Sequence, residues 1–491
     1  MDELQQLQRE NARLKRQIAE AEARHARETR TLEAHNASLL ERLNVLLATR
    51  YGASSEVHDT AQLSLFNEAE VEAASQSEVA NEPDDAAPSS APRKRSGKRA
   101  LPAELERIEV RHELAPHERL CPHDGAELEA IGEETSEQLD IVPAKVRVLR
   151  HVQVKYACRR CRDHLATAPK PRSPIPGSQV SPGLLAHVAV SKYLDHWPLY
   201  RQGQVFERMG AVVHRSTMSH WMCKAGALLQ PLINLLQDEA LSQPHLHMDE
   251  TRVQVLNEPG KTAESQSFMW VRVGGQRQRP IILFDYDPTR AKTVPRRLLA
   301  GFTGILQTDG YTGYDAAVGE YGLISAGCWA HARRRFDEVF KAAGINPKKP
   351  LSKGKSPPNA VRKAAVALQR MKTLFAIEHR IREASPDERI AVRQRESAPV
   401  IAELRHWLDE TRPKVTPQSK LGQALAYLDG QWPRLIVFLD HGAVEMTNNI
   451  AENAIRPFAV GRKNWMFSDS QTGARASANL YSLLMTACVF H

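Results

Sequence analysis

The middle of the chain constrains the fold most, because it contains four strand-like segments and two carboxylates at matching places. In "HLHMDETRVQVL", alternation places Asp249 on the same strand face as His245 and His247, and Glu250 on the opposite face. The segments "SFMWVRVGG" and "RPIILFDYD" predict two more strands. A fourth strand is predicted in "GILQTDGYTGY", where Asp309 comes just before a turn. Three consecutive strands, a crossover and a fourth strand predict an α/β domain with the strand order of an RNase H-like fold.

Asp249 and Asp309 together predict a site for divalent cations. A carboxylate at the end of a central strand is costly to bury unless it is paired or binds a cation. Mg²⁺ prefers hard oxygen ligands, and two ions about 3.5–4 Å apart can stabilise both the attacking and the leaving oxygen in phosphoryl transfer. An Asp before Gly-Tyr is by itself a common turn former. The prediction therefore depends on the pair and not on either residue alone.

A third carboxylate, Glu452, lies in "EMTNNIAENAIRPFAVGRKNWMF". The alternative interpretation is a capping box, in which Asn449 caps a helix and Glu452 bonds back to a backbone amide. Arg456 lies one helical turn beyond Glu452, and we predict that Pro457 ends the helix. The basic residues that follow would then lie in a turn that contacts phosphate, or form an ordinary exposed surface; they are Arg462 and Lys463.

The segment "PLYRQGQVFERMGAVVHRSTMSHWMCKAGALL" predicts a helix-turn-helix, with a turn at Gly210 and a second helix opened by Ser216 or Thr217. Met218 and Trp221 are predicted to pack inward. A helical hairpin without a DNA role is the alternative. The residues predicted to enter the major groove are Arg215, Ser216, Thr217, Ser219 and His220.

Composition supports a multidomain chain with a polyanionic partner. The length of 491 residues exceeds one hydrophobic core, and the net charge is +8. No apolar run approaches the roughly 18 residues that span a bilayer, and the first thirty residues are charged throughout, so we expect a cytoplasmic protein without a membrane segment. An N-terminal leucine stripe predicts a coiled-coil homodimer or higher oligomer; a helix docked on its own chain is the alternative. A Lys- and Arg-free acidic stretch followed by a short basic run predicts a linker.

Several motifs in order resemble one known family: "MDET", "TDGYTGY", "CWAHARRRF" and "NNIAENAIRPFAVGRKNWMFS". Over nearly its whole length the chain resembles the large transposase of the insertion-sequence family numbered sixty-six. The resemblance implies that Asp249, Asp309 and Glu452 are the DDE catalytic acids that bind two Mg²⁺ or Mn²⁺ ions. It also implies that the partners are transposon-end and target DNA together with companion proteins of the element, and that the protein associates with the bacterial nucleoid.

The Cys328-x-x-His331 pair precedes a basic run at the predicted start of a helix. Similar pairs occur near the core of other DDE transposases, so the resemblance implies that His331, Arg333 and Arg334 lie near the active site or the DNA end. A structural role for His331 is the alternative. Two ligands alone would not make a zinc site.

The cysteines in the first third of the chain predict a small zinc-binding β unit. Relatives carry a Cys-x-x-Cys pair at each end of this unit, whereas here the first pair reads "CPHD". This leaves Cys121 with His123 or Asp124; with His123 the spacing gives a Cys₃His site for Zn²⁺, and a decayed site is the alternative. Its ligands would be Cys121, His123, Cys158 and Cys161.

The predicted architecture is a multidomain α/β protein whose RNase H-like core carries an all-α insertion. Relatives extend further beyond the catalytic motif than "LLMTACVFH", which implies a shortened C-terminus here. The alternative functions are a catalytically impaired DNA-binding accessory or repressor protein, and a host nuclease that cuts without joining. The predicted segments are a coiled-coil helix (1–50), a linker (51–104), a zinc-ribbon-like β unit (105–172), a helix-turn-helix (178–240), the first part of the core (243–340), the helical insertion (341–440) and the last part of the core (441–491).

Overall fold

A computed structural model describes residues 145–157, 165–276, 279–345 and 357–488, together with scattered helical positions between residues 10 and 43. Most of the predicted coiled coil, the whole predicted linker and the four predicted zinc ligands, Cys121, His123, Cys158 and Cys161, lie outside the described residues. The chain divides into one unit of Met1–Glu82 and His151–His491 and a second unit of Pro83–Arg150. Of the second unit, residues 145–150 are described and have no regular secondary structure.

The described strands form a small ladder and a six-stranded mixed sheet. In the ladder, β1 and β2 pair antiparallel. Residues 145–154, before β1, have no regular secondary structure. The strands are β1 (Lys155–Ala157), β2 (Leu165–Thr167), β3 (His245–Asn257), β4 (Gln266–Gln276), β5 (Arg279–Asp287), β6 (Ile305–Gln307), β7 (Ile324–Ala326) and β8 (Ser468–Ser470).

The large sheet has the order β5-β4-β3-β6-β7, with β8 paired to the far end of β3. β3, β4 and β5 are antiparallel neighbours, whereas β6 and β7 run parallel to β3. The three consecutive strands, the crossover and the fourth strand that the sequence predicts are therefore present. Helices cover both faces, which is why β4 and β5 are buried along most of their length.

The α-helices lie before, between and after these strands. They are α1 (Pro182–Tyr193), α2 (Leu199–Arg208), α3 (Arg215–Leu228), α4 (Gln230–Leu241), α5 (Thr293–Leu298), α6 (Asp315–Tyr321), α7 (Trp329–Ala342), α8 (Asn359–Arg380), α9 (Pro386–Val392), α10 (Ala398–Thr411), α11 (Lys420–Leu435), α12 (Asn449–Trp465) and α13 (Gln471–Cys488). A π-helical segment, Arg393–Ser397, joins α9 to α10.

Two of the three hydrophobic clusters lie on opposite faces of the sheet. One contains Leu246 and Met248 of β3 with side chains of α4, α5 and α6. The other contains Val253 and Val255 of β3 with side chains of α1, α3, α12 and α13. The third cluster joins α7, α8, α10 and α11 and extends into the segment before α12. Packing on both faces of the sheet therefore holds the start of β3 in place. The third, helical cluster supports the segment that precedes α12.

The helix-turn-helix segment folds as two helices, but the predicted start of the second is wrong. Gly210 adopts φ +83°, which makes the turn after α2 possible. α3 begins at Arg215, and its N-cap is His214, not Ser216 or Thr217. The reason is packing: Met218 and Trp221 are buried as predicted, and their burial sets the helix register without a capping hydroxyl.

The prediction that Pro457 ends its helix is also wrong, because α12 continues through it to Trp465. Proline inside a helix costs about 3 kcal/mol through a lost hydrogen bond and a ring clash. Here Ala454, Ile455 and Phe458 are buried around that position, and their burial outweighs the cost. Arg462 and Lys463 consequently lie in the last turn of α12 and not in a separate turn.

No helix in the described part of the chain combines the length and the apolar character that crossing a membrane requires.

Candidate functional site: a carboxylate cluster at the edge of the sheet

Strand register brings Asp249 and Asp309 to equivalent positions on neighbouring strands. β3 and β6 run parallel, and their register pairs His247 with Gln307. Asp249 and Asp309 each follow two residues later, so both lie where these strands diverge at the same edge of the sheet. Gly310 adopts φ +90°, and the Tyr311 amide donates to Asp309 Oδ1 at 2.9 Å, which turns the chain directly after the carboxylate.

The pKa of Asp249 indicates that this carboxylate lies near Asp309 and Glu452. Burial raises the pKa of Asp249 well above its ordinary value, and the negative charges of Glu250, Asp309 and Glu452 raise it further. One hydrogen bond, from the Glu250 amide to Asp249 Oδ1 at 2.9 Å, acts in the opposite direction. The cluster therefore holds negative charge that a cation would stabilise.

Glu452 reaches this edge from α12 and contacts α7. Its Oε2 accepts a hydrogen bond from Arg334 Nη2 at 2.9 Å, and its Oε1 lies 3.5 Å from His331 Nδ1. The capping-box alternative does not hold: Asn448 is the N-cap and makes no side-chain cap bond, so Glu452 lies at the fourth helical position and not the third. Arg334, predicted to lie near the active site or the DNA end, lies against Glu452 and partly balances its charge.

Asn448 fixes the start of α12 and was missed in the sequence. Its side chain is fully buried; its Oδ1 lies 3.0 Å from His247 Nδ1, and its Nδ2 donates to Met248 O at 2.9 Å. Its backbone amide donates to Cys328 Sγ at 3.1 Å. One residue therefore ties β3, the start of α7 and the start of α12 together. The doublet Asn448-Asn449 is the available signal, but from sequence alone it predicts only a helix cap at Asn449.

Replacing Asn448 by Ala is expected to lower the free energy of unfolding by about 2–4 kcal/mol, because His247 and the Met248 carbonyl lose buried partners. Urea denaturation followed by circular dichroism measures this change. Asn464→Ala is the matched control: Asn464 is exposed, and its Nδ2 makes one bond, to the His196 carbonyl. An Asn448 variant as stable as the Asn464 variant would contradict the assigned role.

Glu250 takes a different role on the opposite face of β3, as alternation predicts. It accepts hydrogen bonds from Arg290 Nε at 2.7 Å and from Tyr314 Oη at 2.6 Å. The Tyr314 ring is fully buried beneath the sheet. Of the two adjacent carboxylates, Glu250 is thus paired by protein groups, whereas Asp249 faces Asp309 and Glu452.

Burial favours the neutral form of the two histidines on the face of Asp249. Burial lowers the pKa of His245 well below its ordinary value, and it also lowers the pKa of His247. Their ring centroids lie 4.4 Å apart. They therefore add no positive charge that would offset the carboxylates.

The residues present fit a divalent cation. Asp249, Asp309 and Glu452 offer hard oxygen ligands, and Glu452 Oε1 is buried without a hydrogen-bond partner among the described residues. Each of the three comes from a different element, so the fold and not local sequence assembles the set.

The other residues predicted to contact DNA lie in three parts of the structure, on α3, α7 and α12. Arg333 and Arg456 are partly buried on α7 and α12. Arg462 Nη1 donates to Thr251 Oγ1 at 3.3 Å, and Lys463 is exposed. The exposed face at the start of α3 contains all five residues predicted for the major groove, namely Arg215, Ser216, Thr217, Ser219 and His220.

Comparison with known proteins agrees with this arrangement. A family profile described as "Transposase IS66 family" matches residues 177–476. Two further profiles, "zinc-finger binding domain of transposase IS66" and "Transposase C of IS166 homeodomain", match residues 118–162 and 38–110.

Three relatives that align over most of this chain occur in Sinorhizobium fredii. Uncharacterized protein y4jD is 34% identical over 398 residues, covering 79% of this chain and 74% of the relative. Uncharacterized protein y4qI is 34% identical over 470 residues, covering 92% and 82%. Uncharacterized protein y4hP is 32% identical over 437 residues, covering 87% and 77%. With more than half of its length matched by the family profile, the chain belongs to the IS66 family of transposases.

Proposed function

We propose that the protein is a DDE transposase that cleaves the ends of its insertion sequence and joins them to target DNA in a metal-dependent reaction. The observation that supports the proposal is that Asp309 and Glu452, from distant parts of the chain, lie close enough to the buried Asp249 for their charges to raise its pKa. The strand order β5-β4-β3-β6-β7 supports an RNase H-like core, and the helices from Asn359 to Leu435 correspond to the proposed all-α insertion.

Asp249, Asp309 and Glu452 would hold two Mg²⁺ or Mn²⁺ ions. Such ions, when bound, stabilise charge on the phosphate and lower the pKa of water. The protein's own part is positioning: β3 and β6 fix the two aspartates by register, and Asn448 fixes the start of α12. Arg334 binds Glu452 Oε2, which leaves Oε1, beside His331, without a hydrogen-bond partner among the described residues.

DNA would be bound by two exposed surfaces in addition to the carboxylates. The exposed start of α3 has the size and polarity of a recognition helix, and its cation Arg215 is suited to phosphate or guanine. At the end of α12, Lys463 is exposed and suited to phosphate. A DNA substrate would place the protein at the bacterial nucleoid.

The N-terminal third would supply zinc binding and assembly. The match of residues 118–162 to a zinc-finger profile supports Zn²⁺ binding by Cys121, His123, Cys158 and Cys161. We also propose that the N-terminal helix forms a coiled-coil homodimer, so that two protomers hold two transposon ends. Companion proteins of the element would join this complex.

The proposal is tested with purified full-length protein, Mg²⁺ and a duplex that carries the DNA flanking its reading frame. We expect strand cleavage that leaves 3′-hydroxyl ends, followed by joining to a second duplex, and no reaction in EDTA. Binding without cleavage would favour the accessory or repressor alternative. Cleavage without joining would favour the nuclease alternative.

A further inference from the structure

A second set of metal-ligand atoms shares Glu452 with the carboxylate cluster. Cys328 is the N-cap of α7, and His331 lies in the first turn of the same helix. One ligand atom each from Cys328, His331 and Glu452 lie within 4.8 Å of one another. In tetrahedral zinc sites the bonds of about 2.0–2.3 Å place ligand atoms roughly 3.5 Å apart, so small side-chain rotations would close this set around an ion.

Three backbone amides surround the sulfur of Cys328. The amide of Asn448 donates to Sγ at 3.1 Å, and the amides of Ala330 and His331 also point to it. Burial and the charge of Glu452 raise the pKa of the Cys328 thiol to about 12, and the three amides act in the opposite direction, so an ion that binds this sulfur must displace its proton. The side chain is fully buried, so the thiol is not placed for reaction with solvent.

The other two ligand atoms have no hydrogen-bond partner among the described residues. These atoms, His331 Nδ1 and Glu452 Oε1, are both buried and lie 3.5 Å apart. Arg334 binds the other carboxylate oxygen, so the available oxygen is the one that faces His331. The His331 side chain is 26% exposed, which gives an ion and a fourth ligand a route from solvent.

We propose that Cys328, His331 and Glu452 form a binding site for a thiophilic divalent cation of the Zn²⁺ class. One sulfur, one nitrogen and one oxygen suit Zn²⁺ or Co²⁺ and not Mg²⁺, which prefers oxygen alone. An ion bound here engages Glu452 and withdraws it from Asp249 and Asp309. Zn²⁺ therefore inhibits cleavage in competition with Mg²⁺; this consequence, unlike the binding site, rests on the proposed function.

Co²⁺ titration of the full-length protein tests the site without DNA. Thiolate-to-cobalt charge transfer in the near ultraviolet reports bound sulfur. To silence the N-terminal sulfurs, the titration uses a background with serine at three positions, Cys121, Cys158 and Cys161. We expect one equivalent of Co²⁺ with this absorption, displaced by stoichiometric Zn²⁺ and by Mg²⁺ only in large excess.

Cys328→Ser is expected to remove the absorption, and His331→Ala to weaken binding at least about tenfold. Cys223→Ser is the matched control at a cysteine outside the set and should change nothing. If the serine background does not fold, the protein with its native cysteines should lose one equivalent of thiolate-bound Co²⁺ on Cys328→Ser. Absorption that survives Cys328→Ser, or no such absorption in either background, would overturn the site. A protein that binds Co²⁺ as expected but never cleaves DNA would contradict only the proposed function.

Discussion

Replacing Asp249 by Asn is expected to slow Mg²⁺-dependent DNA cleavage by at least about a thousandfold, because one ligand oxygen and one negative charge are lost where phosphate charge must be stabilised. DNA binding should be retained, since the exposed face of α3 is unchanged. The variant should be at least as stable as the natural protein. Burial and the charges of Asp309 and Glu452 already raise the pKa of Asp249, so its ionised form is held at a cost. Single-turnover cleavage, end binding and thermal unfolding measure the three results.

Glu250→Gln is the matched control for this substitution. Glu250 is the adjacent residue on the opposite face of β3, where Arg290 and Tyr314 pair with it. We expect cleavage within about tenfold of the natural rate, because the amide keeps one acceptor for these donors. Equal losses of cleavage rate in Asp249→Asn and Glu250→Gln would mean that the total negative charge of this region determines the rate, whichever face of β3 carries it.

Arg393→Met is expected to destabilise the helices around α12 by about 3–5 kcal/mol, the usual effect of removing one partner from a buried ion pair. The Arg393 side chain is fully buried in the π-helical segment, where its guanidinium binds both oxygens of Glu378 at 2.8 and 2.6 Å. It also donates to the carbonyls of Phe438, His441 and Val444 at 2.8–3.0 Å. These carbonyls precede α12, so we also expect slower cleavage through loss of the position of Glu452.

Arg395→Met provides the control within the same π-helical segment. The Arg395 side chain is 69% exposed and pairs with Glu396 at the surface. Its removal should change stability by no more than about 0.5 kcal/mol. Hydrogen exchange of amides in α8 and α12 measures both variants. Unchanged exchange in the Arg393 variant would show that the guanidinium does not hold the segment before α12.

Most of the sheet could be predicted from the alternation of residues that face opposite sides of a strand. The period of two in β3 placed Asp249 and Glu250 on opposite faces, and both contact sets agree with it. Residues Leu404 and Leu408, at helical spacing, are buried in the helical cluster as that spacing indicates. Local patterns succeed here because each element buries one face against a neighbour.

The sequence could not show how distant segments meet. Nothing local distinguishes Arg334, which contacts Glu452 across 118 residues, from its basic neighbours. Asn448 bonds to β3 about 200 residues away, and this depends on the packed fold. Pro457 was misjudged because a local rule about proline ignores the burial of Phe458 and its neighbours. In each of these cases the outcome depends on contacts between distant segments, which local sequence rules do not include.

Anomalous diffraction from crystals of the protein with end DNA and Mn²⁺ tests the central claim most directly. We expect one Mn²⁺ peak within about 2–2.6 Å of oxygens of both Asp249 and Asp309, and a second peak in contact with Glu452. Mn²⁺ peaks that contact none of these three carboxylates, in crystals where the DNA end lies beside them, would contradict the account.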